Sequence, residues 1–193
     1  MRFEKGHKAE TRRHILGVAS KRFRKDGISA AGIAGIMSEA GLTNGAFYPH
    51  FKSKDELVRE AVSSAINEQR HRVEESLQAG CDLESVLRTY LSRNHLDSPG
   101  CGCPSAALLP EVARQPASTR QAYEDGIDSY VSTLVPLIPI ADAAVAHRRA
   151  TAMFALMVGT LQHARVVMDP AAAEQILESG VEAALLLARA PST

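Results

Sequence analysis

Apolar residues recur at helical spacing along almost the whole chain, with no stretch showing the alternation of a half-buried strand. Ile15, Leu16, Ala19 and Phe23 share one face of a first helix, about residues 8–25, which Gly27 stops. A second helix, about 31–39, buries Ile33, Ile36 and Met37 and ends at Gly41. A short third helix carries Asn44, Gly45, Ala46, Phe47 and Tyr48, with Thr43 as its N-cap. Ser53-Lys54-Asp55-Glu56 has the form of a capping box and starts a long fourth helix, about 54–78, that ends near Gly80. Five more helices are expected over about 83–95, 104–113, 118–135, 141–167 and 171–190. A Gly/Pro/Cys loop at 97–103, the breakers Pro136 and Pro139, and Asp169-Pro170 separate them. The pattern predicts an all-α protein of about nine helices without internal repeats.

The corner between the second and third helices has the form of a helix-turn-helix. Phe47 and Phe51, four residues apart, face inward, while Asn44 and Tyr48, also four apart, share the outer face. In such a motif the second helix lies in the major groove, which admits a helix only where nothing bulky stands between backbone and bases. Thr43, Asn44, Gly45 and Ala46 start that helix, where side chains approach base edges most closely, and Gly45 and Ala46 let the backbone come near. Tyr48 and His50 are placed to reach phosphates, and Lys52 and Lys54 add charge. The plainer reading is an ordinary tight helical corner.

Charge favours DNA. The formal net charge is zero, yet residues 1–54 carry +7 and residues 55–193 carry −7. A basic quarter on an acidic body points to a polyanion bound at one end, although solvated helices carry charge in any protein. The division expected is a DNA-binding domain over 1–53 and an effector-binding and dimerisation domain over 54–193.

The 193 residues suffice to bury a substantial core. No apolar run is long enough to span a membrane, and the charged N-terminal stretch does not read as a secretion leader. With only three cysteines, Cys81, Cys101 and Cys103, the expectation is free thiols in a reducing cytoplasm. There is no Gly-rich phosphate loop after a strand, no His-Glu-x-x-His and no nucleophile elbow, so neither an enzyme nor a cofactor is expected. A hydrolase built on Cys103 would need an oriented histidine, for which His95 is the nearest candidate. A helical dimer that never touches DNA is the other rival.

Thr11, Ile15, Leu16, Ala19, Phe23, Gly27, Ile33, Ile36, Ala40-Gly41, Gly45, Phe47-Tyr48, His50-Phe51, Lys54 and Leu57 together resemble the N-terminal signature of the TetR family of transcriptional regulators. The resemblance spans about residues 9–57. Met37, Gly32 and Pro49 depart from the usual pattern, and Pro49 should cut the third helix short. The resemblance implies a homodimer whose last two helices pair with their copies in a four-helix bundle. It also implies a C-terminal pocket for a small-molecule effector and release of a repressor from a palindromic operator. The last two helices are apolar over more than one stripe, which fits such pairing. Candidate interface residues are Met153, Met157, Leu161, Leu177, Val181 and Leu185; a purely internal core would explain the same stripes. The fourth helix is the expected lever between pocket and DNA.

One segment bears on the effector, Gly100-Cys101-Gly102-Cys103-Pro104-Ser105. Pro104 takes the first helical position and makes Cys103 the N-cap, where free amides and the helix dipole favour a thiolate. Gly-Cys-Pro before a small-residue helix is similar to a TetR subgroup that includes repressors of flavonoid-responsive genes. A related Gly-Cys stretch occurs in a repressor that senses electrophiles through a cysteine matching Cys103. That makes Cys101 and Cys103 sensor candidates; the plainer reading is a buried cysteine that packs beside the pocket. Cys101, Cys103 and His95 lack a clear fourth partner, so no metal is expected.

Overall fold

Among the described residues the chain is helical and forms no strand. The computed structural model describes residues 2–190, with side chains from residue 6 onward. Residue 1, residues 191–193 and the side chains of residues 2–5, among them Arg2 and Lys5 of the basic N-terminal segment, lie outside the described residues. The helices are α1 (Arg2–Asp26), α2 (Ile33–Glu39), α3 (Lys54–Gln78), α4 (Leu83–Tyr90), α5 (Arg93–Asp97), α6 (Pro104–Val112), α7 (Ala117–Leu134), α8 (Ala143–Val166) and α9 (Pro170–Arg189). Short 3-10 turns stand at Asn44–Ala46, Pro99–Cys101 and Val135–Leu137. None of the described helices is long and apolar enough to cross a membrane.

Local chemistry accounts for most boundaries. Gly41 closes α2 at φ 69°, where a side chain would be strained, and the Gly41 and Leu42 amides donate back to Ser38 and Met37 in a Schellman arrangement. The Ser53 hydroxyl accepts the Glu56 amide at 3.2 Å. The reciprocal arm of that capping box reaches one residue further back, since the Glu56 carboxylate accepts from the Lys52 amide at 2.6 Å. Asp82, Asp142 and Asp169 cap α4, α8 and α9 with their carboxylates, and Pro170 follows Asp169 at the first helical position.

Two expected elements change. The helix expected over 83–95 is broken at Leu91 (φ −90°, ψ 51°) because Ser92 turns extended and caps α5 by accepting the His95 amide at 3.2 Å. The third helix is a single 3-10 turn over Asn44–Ala46 that continues through turns to His50, as the missing N–H of Pro49 requires. Thr43 stands at the N-cap with extended backbone, but its side chain makes no capping hydrogen bond.

α3 forms the spine, packing on α1 at one end and α7 along its length, while α8 pairs with α9 and α4 lies against α9. One continuous apolar cluster runs from Ile15, Phe23 and Phe47 through Leu57 and Ile66 to Met157 and Ala188. This continuity corrects the interface expectation. Met153, Met157, Leu161, Leu177 and Val181 are buried in the protomer's own core and Leu185 is half-buried against it, because α8 and α9 must cover each other and α4 within one chain. The outward stripe is different: Leu156, Gly159, Thr160, His163, Ile176 and Ala183 line an open groove. Val166 (74% exposed) and Leu186 (74%) continue it.

Candidate nucleic-acid interface and ligand cavity

The turn after α2 is held from below by aromatic packing. Phe47 and Phe51 are fully buried, stacked with ring centroids 5.7 Å apart, and Tyr48 meets Phe47 edge-on at 5.3 Å. With the phenylalanines anchored inward, Thr43, Asn44, Gly45 and Tyr48 are exposed, Ala46 is half-buried, and Tyr48 keeps 68% of its surface open. Lys52 is exposed, while Lys54 and His50 are half-buried. Seven of the eight residues therefore fall on one continuous segment, 43–52, in which small and polar groups face out, and Lys54 opens α3 beside it.

A residue outside that set locks the loop. Arg12 of α1 makes a two-point ion pair with Glu60 of α3 (2.6 and 2.7 Å), donates to the His50 carbonyl at 3.2 Å and lies over the Phe51 ring at 4.5 Å. Burial, followed by the charges of Lys8 and Arg12, lowers the pKa of His50 and favours its neutral form. Arg12 and Glu60 stand 48 residues apart, so no local pattern marks them as partners.

The body holds a cavity of about 300 Å³ between α3, α4, α5, α7 and the 98–103 segment. Its lining includes Gln69, Arg72, Val86, Tyr90, His95 and Tyr130, together with both candidate cysteines. Cys101 is exposed and Cys103 is buried at the start of α6, where its side chain makes no capping bond. The Tyr90 and Tyr130 rings are almost fully buried, and neither hydroxyl has a well-formed hydrogen bond. Burial raises the pKa of both phenols, so both stay protonated donors.

His95 ties this wall together. The Cys103 amide donates to His95 Nε2 at 2.8 Å, which leaves the proton on Nδ1 to be donated to the Tyr90 carbonyl at 2.7 Å. Both ring nitrogens are thus engaged, and neither is available as a base for Cys103 or as a metal ligand. Among the described residues no group of three His, Cys, Asp or Glu side chains is arranged to hold a metal ion. Any side chain at Gly102 would strike this imidazole, since a Cβ there would stand 2.5 Å from the ring.

Burial drives the His95 pKa down to about 4. An imidazole that is neutral when folded but protonated below about 6.5 when unfolded binds more protons in the unfolded chain. Its contribution to stability is therefore complete above pH 6.5 and falls as the pH drops toward 4. Urea denaturation of the wild type and His95→Gln should differ in pH slope across that window, by a total on the order of 2–3 kcal/mol. Parallel slopes would show that His95 is not the group responsible.

The cavity wall also rests on α1. Arg24 of α1 is buried and donates to the Gly102 carbonyl at 2.8 Å and to the Ser20 carbonyl at 3.1 Å. Glu111 of α6 accepts the Ser29 amide at 3.0 Å between α1 and α2. On the other side Arg165 of α8 donates to the carbonyls of His95, Leu96 and Ala106. Ala106 O is the acceptor orphaned within α6 by Pro110, which has no N–H to offer it.

An exposed turn on aromatic anchors after α2, joined to a helical body that holds a cavity, has the form of a helix-turn-helix protein with a C-terminal helical domain. The family described as bacterial regulatory proteins, tetR family, matches residues 15–61. The chain is 47% identical over 51 residues to the HTH-type transcriptional regulator AcrR of Shigella flexneri, which is 26% of this chain and 24% of that protein. It is 27% identical over 173 residues to the HTH-type transcriptional regulator TtgR of Pseudomonas putida, 83% of this chain and 82% of that protein. The crystal structure of the reduced form of NemR from E. coli superposes with a TM-score of 0.75 at 20% identity, covering 91% of this chain and 95% of that one. The match over residues 15–61 and the likeness to these curated regulators support a transcriptional regulator of the TetR type. It spans about a quarter of the length of AcrR and between 31% and 57% of three further curated relatives.

Proposed function

We propose that the protein is a homodimeric, sequence-specific DNA-binding regulator, a repressor that a small-molecule effector in the cavity releases from a palindromic operator. The observation that carries this reading is the recognition turn: Thr43, Asn44, Gly45 and Tyr48 stand exposed above buried Phe47 and Phe51 on a basic N-terminal segment. Residues 1–53 act as the DNA-reading unit and 54–193 as the effector-binding and dimerisation unit. Two copies meeting through the outward stripe of α8 and α9 would present two recognition turns to half-sites roughly 34–36 Å apart.

Release follows from linkage. An effector that binds better to the arrangement with mis-spaced recognition turns lowers operator affinity by the same coupling free energy. Two connections support such coupling. α3 lines the cavity with Gln69, Arg72, Val73 and Ser76 and packs on α1 at its other end. The cavity wall is bonded to α1 directly through Arg24 and Gly102. Cysteine sensing has less support, since Cys103 is buried and the nearby imidazole has no free nitrogen.

The test is selection of bound duplexes from a random DNA pool at two salt concentrations. A short palindrome, bound less tightly as salt rises, is the expected product; sequence-free binding alone overturns the reading. On the selected duplex, Asn44→Ala should change preference at one base position by about 1–3 kcal/mol, as a lost base-edge contact does. Tyr48→Phe should weaken all duplexes by a similar factor. Identical behaviour of the two variants on every duplex would overturn this assignment of roles.

A further inference from the structure

We infer that the cavity takes a small organic anion, a carboxylate carried on an aromatic or short apolar body, with the acidic group received by the hydroxyls of Tyr90 and Tyr130. This rests on the reading of the cavity as the effector site and names the chemistry of what enters it.

The lining is rich in donors and has no carboxylate. Tyr90 and Tyr130 are more than nine-tenths buried at the cavity wall, and their hydroxyls make no hydrogen bond of good geometry, with only the Cys103 thiol near the first and the Gln69 amide near the second. A buried donor of this kind gains most from a ligand that brings lone pairs. Gln69, Ser76, Thr89 and Asn94 add neutral polar groups, and Arg72 is the one lining side chain that is formally charged near neutral pH. No Asp or Glu stands within ion-pair distance of Arg72 among the described residues.

The surrounding field has the same sign. Arg72, Arg24 and Arg165 all lie close enough to disfavour a proton on His95. Arg24 and Arg165 spend their hydrogen bonds on backbone carbonyls rather than on carboxylates, and Glu68, which lines no part of the cavity, offsets part of the charge of Arg24. A carboxylate is an acceptor on every lone pair and carries the opposite charge, so it satisfies the hydroxyls and the field together. Size bounds the rest of the molecule. At about 300 Å³ the cavity sits at the low end of small-molecule sites, and Val73, Val86 and the two tyrosine rings supply its apolar walls.

The experiment titrates the full-length protein with benzoate, cinnamate and 2-naphthoate, each beside its primary amide, by calorimetry and thermal denaturation. The amide keeps the shape and removes the charge. The expected result is at least one acid binding tenfold or more tightly than its amide, with Arg72→Gln closing most of that gap. In the same protein Tyr90→Phe/Tyr130→Phe should weaken the acid at least tenfold while leaving the fold intact by circular dichroism. Amides that bind as well as the acids, with the same dependence on the tyrosines, overturn the anion assignment and leave the cavity as the effector site. Acid binding unchanged in both variants places the acid elsewhere and overturns it as well. Failure of all six compounds also overturns it, while the effector-site reading is judged separately by whether any ligand releases the selected duplex.

Discussion

Phe47→Ala is expected to abolish specific DNA binding and to cost about 3–5 kcal/mol of stability, the range for truncating a fully buried aromatic side chain. Phe47 has no exposed surface. Its ring stacks on Phe51 and takes the edge of Tyr48, so it is the point on which the recognition turn is hung. The backbone closes on it as well: the amides of His50 and Phe51 both donate to the Phe47 carbonyl, at 2.9 and 3.1 Å. A 3-10 turn of three residues has too few internal hydrogen bonds to persist without this anchor. The check is urea denaturation of the variant alongside binding to the selected duplex. Tyr48→Ala is the control, because an exposed ring should change stability by only about 0.5 kcal/mol while still weakening DNA binding. If Phe47→Ala binds DNA normally, the turn does not depend on its aromatic floor.

Arg24→Met should separate effector response from DNA binding. The methionine keeps an apolar stem of similar length and removes the guanidinium, which leaves the Gly102 carbonyl without its donor. Charge-assisted hydrogen bonds of this kind contribute roughly 1.5–3 kcal/mol each, so a loss of about 2–4 kcal/mol in stability is expected. The larger consequence concerns coupling. Gly102 belongs to the cavity wall and Arg24 to the helix that braces the turn after α2, so on the proposed function this bond is a direct link between the two. With it removed, operator affinity measured with and without a releasing ligand should converge, and the ratio of the two should fall toward one. An unchanged ratio would assign the coupling to α3 alone.

Some of this was readable residue by residue. The ends of α1, α2 and α3 follow from Gly27, Gly41 and Gly80, all at positive φ, and from the Ser53 cap. The inward and outward faces of the recognition turn follow from the four-residue spacing of Phe47 with Phe51 and of Asn44 with Tyr48. The break at Ser92 was not readable, because 83–95 keeps its helical periodicity through the break and a lone serine is tolerated inside helices. Nor were Tyr90, Tyr130 and Arg72 as cavity residues, since nothing in their local pattern distinguishes an apolar wall from a core.

By itself the sequence did not determine the break at Ser92 or the single 3-10 turn at Asn44–Ala46. It did determine most of the helices and their stops, the caps at Ser53 and at Asp169-Pro170, the helix-turn-helix corner and the charge separation between the two ends of the chain. Each of these depends on residues within about one or two helical turns of each other, where propensity, capping and periodicity act. Tertiary structure alone decided which stripes of α8 and α9 are consumed inside the protomer, where the cavity lies, and that Arg24 and Gly102, 78 residues apart, connect it to α1. Those outcomes are set by how whole helices pack, and a side chain carries no local mark of which distant backbone atom it will meet.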